Sequence, residues 1–239
     1  MDKQEKAISS EPDWPLTCNR FVAYIDIMGF KDMVARTPHN EIYEMMRKIE
    51  ASKSINVYLY PGYKDPLLVK TTTYSDSIMI YSKDESDDAL KSLLYTVSGF
   101  AYDLLVECIP YKGSVAFGRM TLDDKNSIYF GQPLIDAYLL QEELHFYGII
   151  IHATAEKKIG NEKNYNKCLL DYSCPLKNGF SNHLTICPIY IHPPIDDEFK
   201  EHAEKPYKTI KDFRLNTSGY LRKYIDNTEQ YLEYIKNLK

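Results

Sequence analysis

The sequence predicts an α+β fold: an antiparallel or mixed sheet with helices packed on one face. Three observations predict it. Short β-prone runs alternate with stretches of helical periodicity in the order β-α-β-β-α-β-β-α-β. Two of those runs, Phe21 to Phe30 and Val69 to Tyr81, are apolar, and each is interrupted by one carboxylate, Asp26 or Asp76. Glycines and prolines, among them Gly29, Pro38, Pro110 and Gly131, punctuate the pattern where one element gives way to the next.

Residues 1–19 are polar, carry Pro12 and Pro15, and read as a flexible leader. Residues 20–28 read as a strand that is apolar on both faces, which predicts a central place in a covered sheet; Gly29 ends it. A helix follows Pro38, with Thr37 as its cap and Ile42, Met45, Met46 and Ile49 on one face. Residues 67–74 and 78–82 read as a hairpin with Ser75-Asp76-Ser77 at its tip. Ser82 and Glu85 form a capping box that opens a long helix. Its apolar stripe runs from Leu90 through Leu93, Leu94, Val97, Phe100 and Leu104 to Leu105, and Pro110 closes it. Lys112 to Gly118 is a short strand bracketed by glycines, and Ile128 to Gly131 is another. Gln132 to His145 reads as a helix and Tyr147 to Ala153 as a strand. The chain beyond about residue 156 is less patterned. It holds a strand, Leu184 to Ile191, which Pro188 assigns to a sheet edge, and a terminal helix from Gly219. The division that follows is a leader at 1–19, a catalytic core at 20–155 and a C-terminal extension at 156–239 packed on that core.

Composition narrows the function. With 239 residues, 44% of them hydrophobic and 26% charged, the chain can bury one good core of the ordinary globular kind. A net charge of −5 gives no electrostatic reason to expect binding to nucleic acid. No apolar run is long enough to cross a membrane, and the polar N-terminus lacks a secretory signal. The five cysteines form no C-x-x-C pair and have no histidine at ligand spacing, so they read as reduced thiols of a cytoplasmic protein. The six histidines are scattered.

The two strand carboxylates carry the chemistry. A carboxylate in an apolar β-run is costly unless something compensates it. A divalent cation shared by Asp26 and Asp76 would compensate both, and magnesium is commonly held by one or two carboxylates together with substrate phosphates. Alone, Asp76 at a hairpin tip is ordinary turn chemistry. The pair, with the sharp turn at Gly29-Phe30 beside the first, points to a phosphate-bearing substrate.

Asp26-Ile27-Met28-Gly29-Phe30, the hairpin Asp76, Lys112 to Gly118 and Tyr129-Phe130-Gly131 entering a helix together resemble the class III nucleotide cyclase catalytic domain, over residues 20–155. Within that superfamily the Ser-Asp-Ser hairpin looks most like the Pycsar pyrimidine cyclases of bacterial anti-phage defence. The resemblance implies a ferredoxin-like β-α-β-β-α-β palm, here with additional C-terminal strands and helices. It implies a homodimer with active sites at the interface, and two divalent cations, Mn²⁺ or Mg²⁺. It implies conversion of UTP or CTP to the 3′,5′-cyclic monophosphate and pyrophosphate, the product being read by a separate effector. Asp26 and Asp76 would bind the metals, joined by the Ile27 carbonyl, and the amides near Gly29 and Phe30 would hold the β- and γ-phosphates. The ribose 3′-hydroxyl would attack the α-phosphorus.

The departures from the family pattern matter. Purine cyclases carry a lysine four residues before the second aspartate; here that residue is Thr72, with Lys70 on the same strand face. The family's ribose-contacting Asn and transition-state Arg fall at Ile135 and Leu139. Lys112 and Arg119 are the substitute phosphate cations, Arg119 being suited to a bidentate contact. Tyr74 is the candidate contact for a pyrimidine ring, and Asp136, near Tyr138, for ribose or base. A catalytically degenerate module is the alternative, favoured by the lost Asn and Arg. A diguanylate cyclase is disfavoured, because the hairpin reads Tyr-Ser-Asp-Ser.

Overall fold

The computed structural model describes residues 14–59, 68–160, 168–189 and 197–238. Strand β1 (Thr17–Ile27) is the centre of the architecture. Its odd residues Phe21, Ala23, Ile25 and Ile27 join the main core. There they meet Ile78 and Ile80 of β3 (Ser77–Ser82), Tyr111 and Val115 of β4 (Tyr111–Asp123), and the Leu90–Leu105 stripe of α3 (Asp87–Val106). Its even residues face the other way. Val22 packs with Tyr81, Met120 and Leu122, and Tyr24 packs with Ala116 and with Ala137 of α4 (Gln132–Glu142). This is why β1 is apolar on both faces: each face is covered by a helix. The expectation of helices on one face is therefore corrected. α3 covers one side and α4 the other, where the Ser114 hydroxyl donates to the Ala137 carbonyl at 2.7 Å.

The sheet runs β2-β3-β1-β4-β6-β8-β7, with β5 (Ile128–Gly131) paired to β4. β2 is Val69–Tyr74, β6 is Ile149–Ile151, β7 is Leu169–Leu176 and β8 is Gly179–Ile186. Between β1 and β2 lie α1 (Phe30–Arg36) and α2 (His39–Leu59), so the first four strands read β-α-β-β-α-β. Their spatial order, β2-β3-β1-β4 with every neighbour antiparallel, is the ferredoxin-like palm. β6 joins β4 in parallel after the α4 crossover, and the β7–β8 hairpin extends the same sheet. Residues beyond 156 thus supply two strands of the one sheet. They also supply α6 (Asp197–Leu215) and α7 (Tyr220–Asn237), joined by an Arg214–Asp226 ion pair at 2.7 Å. The Tyr231 hydroxyl of α7 anchors that pair of helices to β8, donating to Thr185 Oγ1 at 2.9 Å. All five cysteines are free.

Several local expectations shift. Ser82 does not cap α3. It ends β3, its hydroxyl accepting from the Phe21 N–H and donating to the Asp84 carbonyl, both at 2.8 Å, and Ser86 takes the cap instead. Thr37 closes α1 and does not open α2; its N–H donates to the Met33 carbonyl at 2.9 Å. The glycine-bracketed strand is far longer than expected, because β1 and β5 both pair along it. The α4 helix stops at Glu142 and β6 is confined to its three isoleucines. β8 ends before Pro188 and lies inside the sheet, while the edge falls to β7, which contains Pro175. α6 has no clear signal in the sequence because Pro206 sits inside it; packing against α3 and α7 outweighs that local penalty.

Gly113 marks the closest approach of β1, β4 and β6. A Cβ there would lie 2.9 Å from the Tyr24 carbonyl oxygen and 3.2 Å from Ile149. Gly113→Ala is expected to destabilise the fold by about 1–3 kcal/mol, read as a lowered midpoint in urea unfolding.

Candidate active site

Register builds the site. In antiparallel pairs, directly opposed residues share a sheet face. Tyr74 opposes Ser77, Ser77 opposes Asp26, and Asp26 opposes Lys112. Four strands therefore present one row, Tyr74–Ser77–Asp26–Lys112, on the face that α4 covers. Asp76 lies in the turn beside that row, and its carbonyl accepts from the Ile27 N–H at 2.9 Å. Ser75 takes a positive φ of 56° to make this two-residue turn. Gly29, with φ 74°, ends the row's other flank and starts α1, its carbonyl accepting from the Met33 N–H at 3.0 Å. Phe30 begins that helix and packs on the core.

The sequence-derived candidates Asp26, Ile27, Asp76, Gly29, Phe30, Tyr74 and Lys112 thus meet at one end of the sheet. Three others do not join them within one chain. Lys70 opposes Tyr81, roughly 13 Å along the strand from the row. Its ammonium is engaged there by Asp124 at 2.6 Å and by the Trp14 ring. Arg119 is exposed at the opposite end of β4, roughly 23 Å away. Asp136 lies part-way along α4 and accepts from the Gln132 amide at 2.8 Å. Strand alternation places Lys70 on the same face as Tyr74 but does not say where along the sheet the site forms.

The electrostatics are those of crowded carboxylates. Burial pushes Asp26 up from its ordinary 3.8 to about 6; the Lys112 charge opposes the rise, and Asp76 and Glu142 add to it. Lys112 is buried and donates to Glu142 Oε1 at 3.0 Å. Burial alone would raise Glu142, but the Lys112 hydrogen bond and charge, the Gln141 amide and the Lys177 charge carry it below its usual value. Tyr24 neighbours both aspartates. Burial raises its hydroxyl, against the 2.6 Å hydrogen bond with Ser77. Tyr138 of α4 meets the Tyr24 ring edge-on at 5.4 Å.

Sequence reasoning missed Tyr24, Ser77, Glu142 and Lys177. Tyr24 was findable, since it sits two residues before Asp26 on the same strand face. Glu142 and Lys177 carry no local signal, because the helix crossover and the β7–β8 turn bring them in.

The donor set fits a divalent cation shared with a phosphate ligand. It offers hard oxygen donors, two of them carboxylates, and surplus negative charge around one covered ammonium. It does not form a closed cage: among the described residues no group of three or more His, Cys, Asp and Glu side chains comes together as metal ligands. Among the described residues, no helix is long and apolar enough to cross a membrane.

No protein-family model matches the chain, and no curated protein matches it in sequence. Among solved structures it is similar to the catalytic core of a rhodopsin-guanylyl cyclase with converted specificity in complex with ATPαS, at 13% identity, 70% coverage of this chain, 94% of that one and a TM-score of 0.48. It is also similar to the guanylyl cyclase Cya2, at 11% identity, 77% and 98% coverage and a TM-score of 0.48. Adenylate cyclases of Trypanosoma brucei in their monomeric state give 10% identity, 81% and 96% coverage and a TM-score of 0.47. Likenesses at this level carry no weight for chemistry, which rests on the residues of the site.

Without a divalent cation, the raised Asp26 carboxyl makes the folded chain hold a proton that the unfolded chain releases between 3.8 and about 6. Stability therefore falls as pH rises through that window, and the full cost is present above it. Asp26→Asn is expected to raise the unfolding temperature at pH 8 in chelator, with the gain shrinking toward pH 4. A constant difference across that range would refute the assignment.

Proposed function

We propose that this chain is a metal-dependent pyrimidine nucleotide cyclase that converts UTP or CTP to the 3′,5′-cyclic monophosphate and pyrophosphate. The observation that carries the reading is the convergence of Asp26 and Asp76 beside the Gly29 turn, tied by the Ile27–Asp76 main-chain hydrogen bond at 2.9 Å. Asp26, Asp76 and the Ile27 carbonyl would hold two Mg²⁺ or Mn²⁺ ions. When bound, these ions supply Lewis-acid activation of the ribose 3′-hydroxyl and charge compensation at the triphosphate. The amides of Gly29 and Phe30 hold the β- and γ-phosphates, and Lys112 neutralises phosphate charge from the strand beside Asp26. Tyr74 lies against the pyrimidine ring, and Asp136, which does not join this row within one chain, would contact ribose or base only from a second copy. The 3′-oxygen forms a bond to the α-phosphorus as the bond from that phosphorus to the bridging oxygen breaks. Pyrophosphate carries away the electron pair, and the proton of the 3′-hydroxyl passes to solvent.

The working unit in this reading is a homodimer. Ile135 and Leu139, one turn apart on α4, are exposed, as is Phe130 of β5, and exposed large apolar side chains sharing a helix face mark association surfaces. Arg119 would reach an active site only from a second copy. The product would act as a second messenger in anti-phage defence, read by a separate effector.

A specific observation favours a second reading, a catalytically degenerate nucleotide-binding or dimerising module. Positions 135 and 139 present exposed apolar side chains where a cyclase would place polar ones. Incubation with each ribonucleoside triphosphate and Mn²⁺ separates the two. The cyclase reading expects cyclic monophosphate and pyrophosphate from UTP or CTP alone. Asp26→Ala and Asp76→Ala should each lower turnover by about a thousandfold or more; product from neither pyrimidine, with nucleotide binding intact, favours the second reading. The double variant Ile135→Asp/Leu139→Asp should run as a monomer in light scattering and lose turnover with it.

A further inference from the structure

Glu142 stands between two ammonium groups from different parts of the chain. Its Oε1 accepts from Lys112 Nζ and from Gln141 Nε2, each at 3.0 Å. Its Oε2 faces Lys177 Nζ at 3.9 Å, too far for a hydrogen bond. Lys177 lies 3.7 Å from Glu143 Oε1, which is also beyond hydrogen-bond reach. The Lys112 side chain is only 10% exposed, against 40% for Glu142 and 44% for Lys177. Lys112 is thus the more covered of the two ammonium groups.

Main-chain bonds set where Lys177 stands relative to α4. The Lys177 N–H donates to the Glu143 carbonyl at 2.8 Å, and the His145 N–H donates to the Pro175 carbonyl at 3.0 Å. A bridge between Leu144 and Leu176 lies between them. These bonds pin the β7–β8 turn to the C-terminal end of α4. The Lys177 main chain is thus held next to the residues that follow Glu142, within side-chain reach of its carboxylate.

We infer that Glu142 is a movable counter-ion: it holds Lys112 in the empty site, releases it to an incoming polyphosphate, and is then taken up by Lys177. This rests on the reading of Lys112 as a phosphate cation. The exchange keeps Glu142 paired in both states, so phosphate binding never leaves an isolated carboxylate against the sheet. Lys177 is a positioning residue here. It acts on Glu142 and does not touch the phosphate.

Calorimetric titration with inorganic tripolyphosphate and Mn²⁺ tests this in four proteins: wild type, Glu142→Gln, Lys177→Met and the double variant. Glu142→Gln is expected to tighten binding by about fivefold or more, and Lys177→Met to weaken it by about fivefold. In the double variant the Lys177 effect should vanish, to within about twofold of Glu142→Gln alone. Weakening of the double variant as large as that of Lys177→Met would make Lys177 a direct phosphate ligand and overturn the exchange. So would weaker binding by Glu142→Gln, unchanged binding by Lys177→Met, or no binding by the wild type. Lys177 is a surface turn residue, so unchanged binding by Lys177→Met overturns the exchange even if Glu142→Gln fails to fold. Turnover is not read. A chain that cyclises no nucleotide yet shows this pattern fails the proposed function and keeps the exchange, and an active chain without the pattern does the reverse.

Discussion

The placement of β1 between β3 and β4 is the constraint on which the rest depends. It sets Asp26 against Ser77 on one side and Lys112 on the other. Side chains alternate along a strand, so a slip of one residue would send Asp26 into the core beside Ile78 and Tyr111 and push Ile25 and Ile27 out of it. The apolar odd face of β1 forbids that slip. The same hydrophobic contacts that hold the fold together also aim the carboxylate, and no separate device is needed to orient it.

The site works against the fold that carries it. Asp26 is desolvated, lies near Asp76 and Glu142, and has one covered ammonium beside it. Crowding like charges is unfavourable in a half-buried place. The surrounding sheet over-determines it through ladders on both sides of β1, a helix on each face, and Gly113 letting β4 approach without a side chain between. Strain of this kind, held by a rigid frame, is what a divalent cation would relieve on binding.

The C-terminal part of the chain belongs to this arrangement. Its strands continue the sheet, and its β7–β8 turn reaches back to α4 through main-chain hydrogen bonds. Lys177 sits on that turn beside Glu142, which in turn holds Lys112 in the row. A segment with little pattern of its own thereby touches the charge balance of the candidate site.

The individual strands and the two aspartates were legible because they rest on short-range physics: apolar β-prone runs, a hairpin turn around Asp76, and a glycine after β1. The long stripe of α3 was legible for the same reason. Elements whose local signals mislead were not, such as α6 with its internal Pro206 or the start of α3, where the capping-box pattern at Ser82 and Glu85 lies ahead of the Ser86 that caps the helix. Sequence alone determined that two carboxylates sit at strand ends in apolar runs, since hydrophobic patterning is written residue by residue. Only the tertiary structure decided which charges meet them. Register brought Lys112 to Asp26 and left Lys70 and Arg119 far along their strands, and a crossover helix and a distant turn delivered Glu142 and Lys177, because contacts across a sheet depend on pairing that no local window contains.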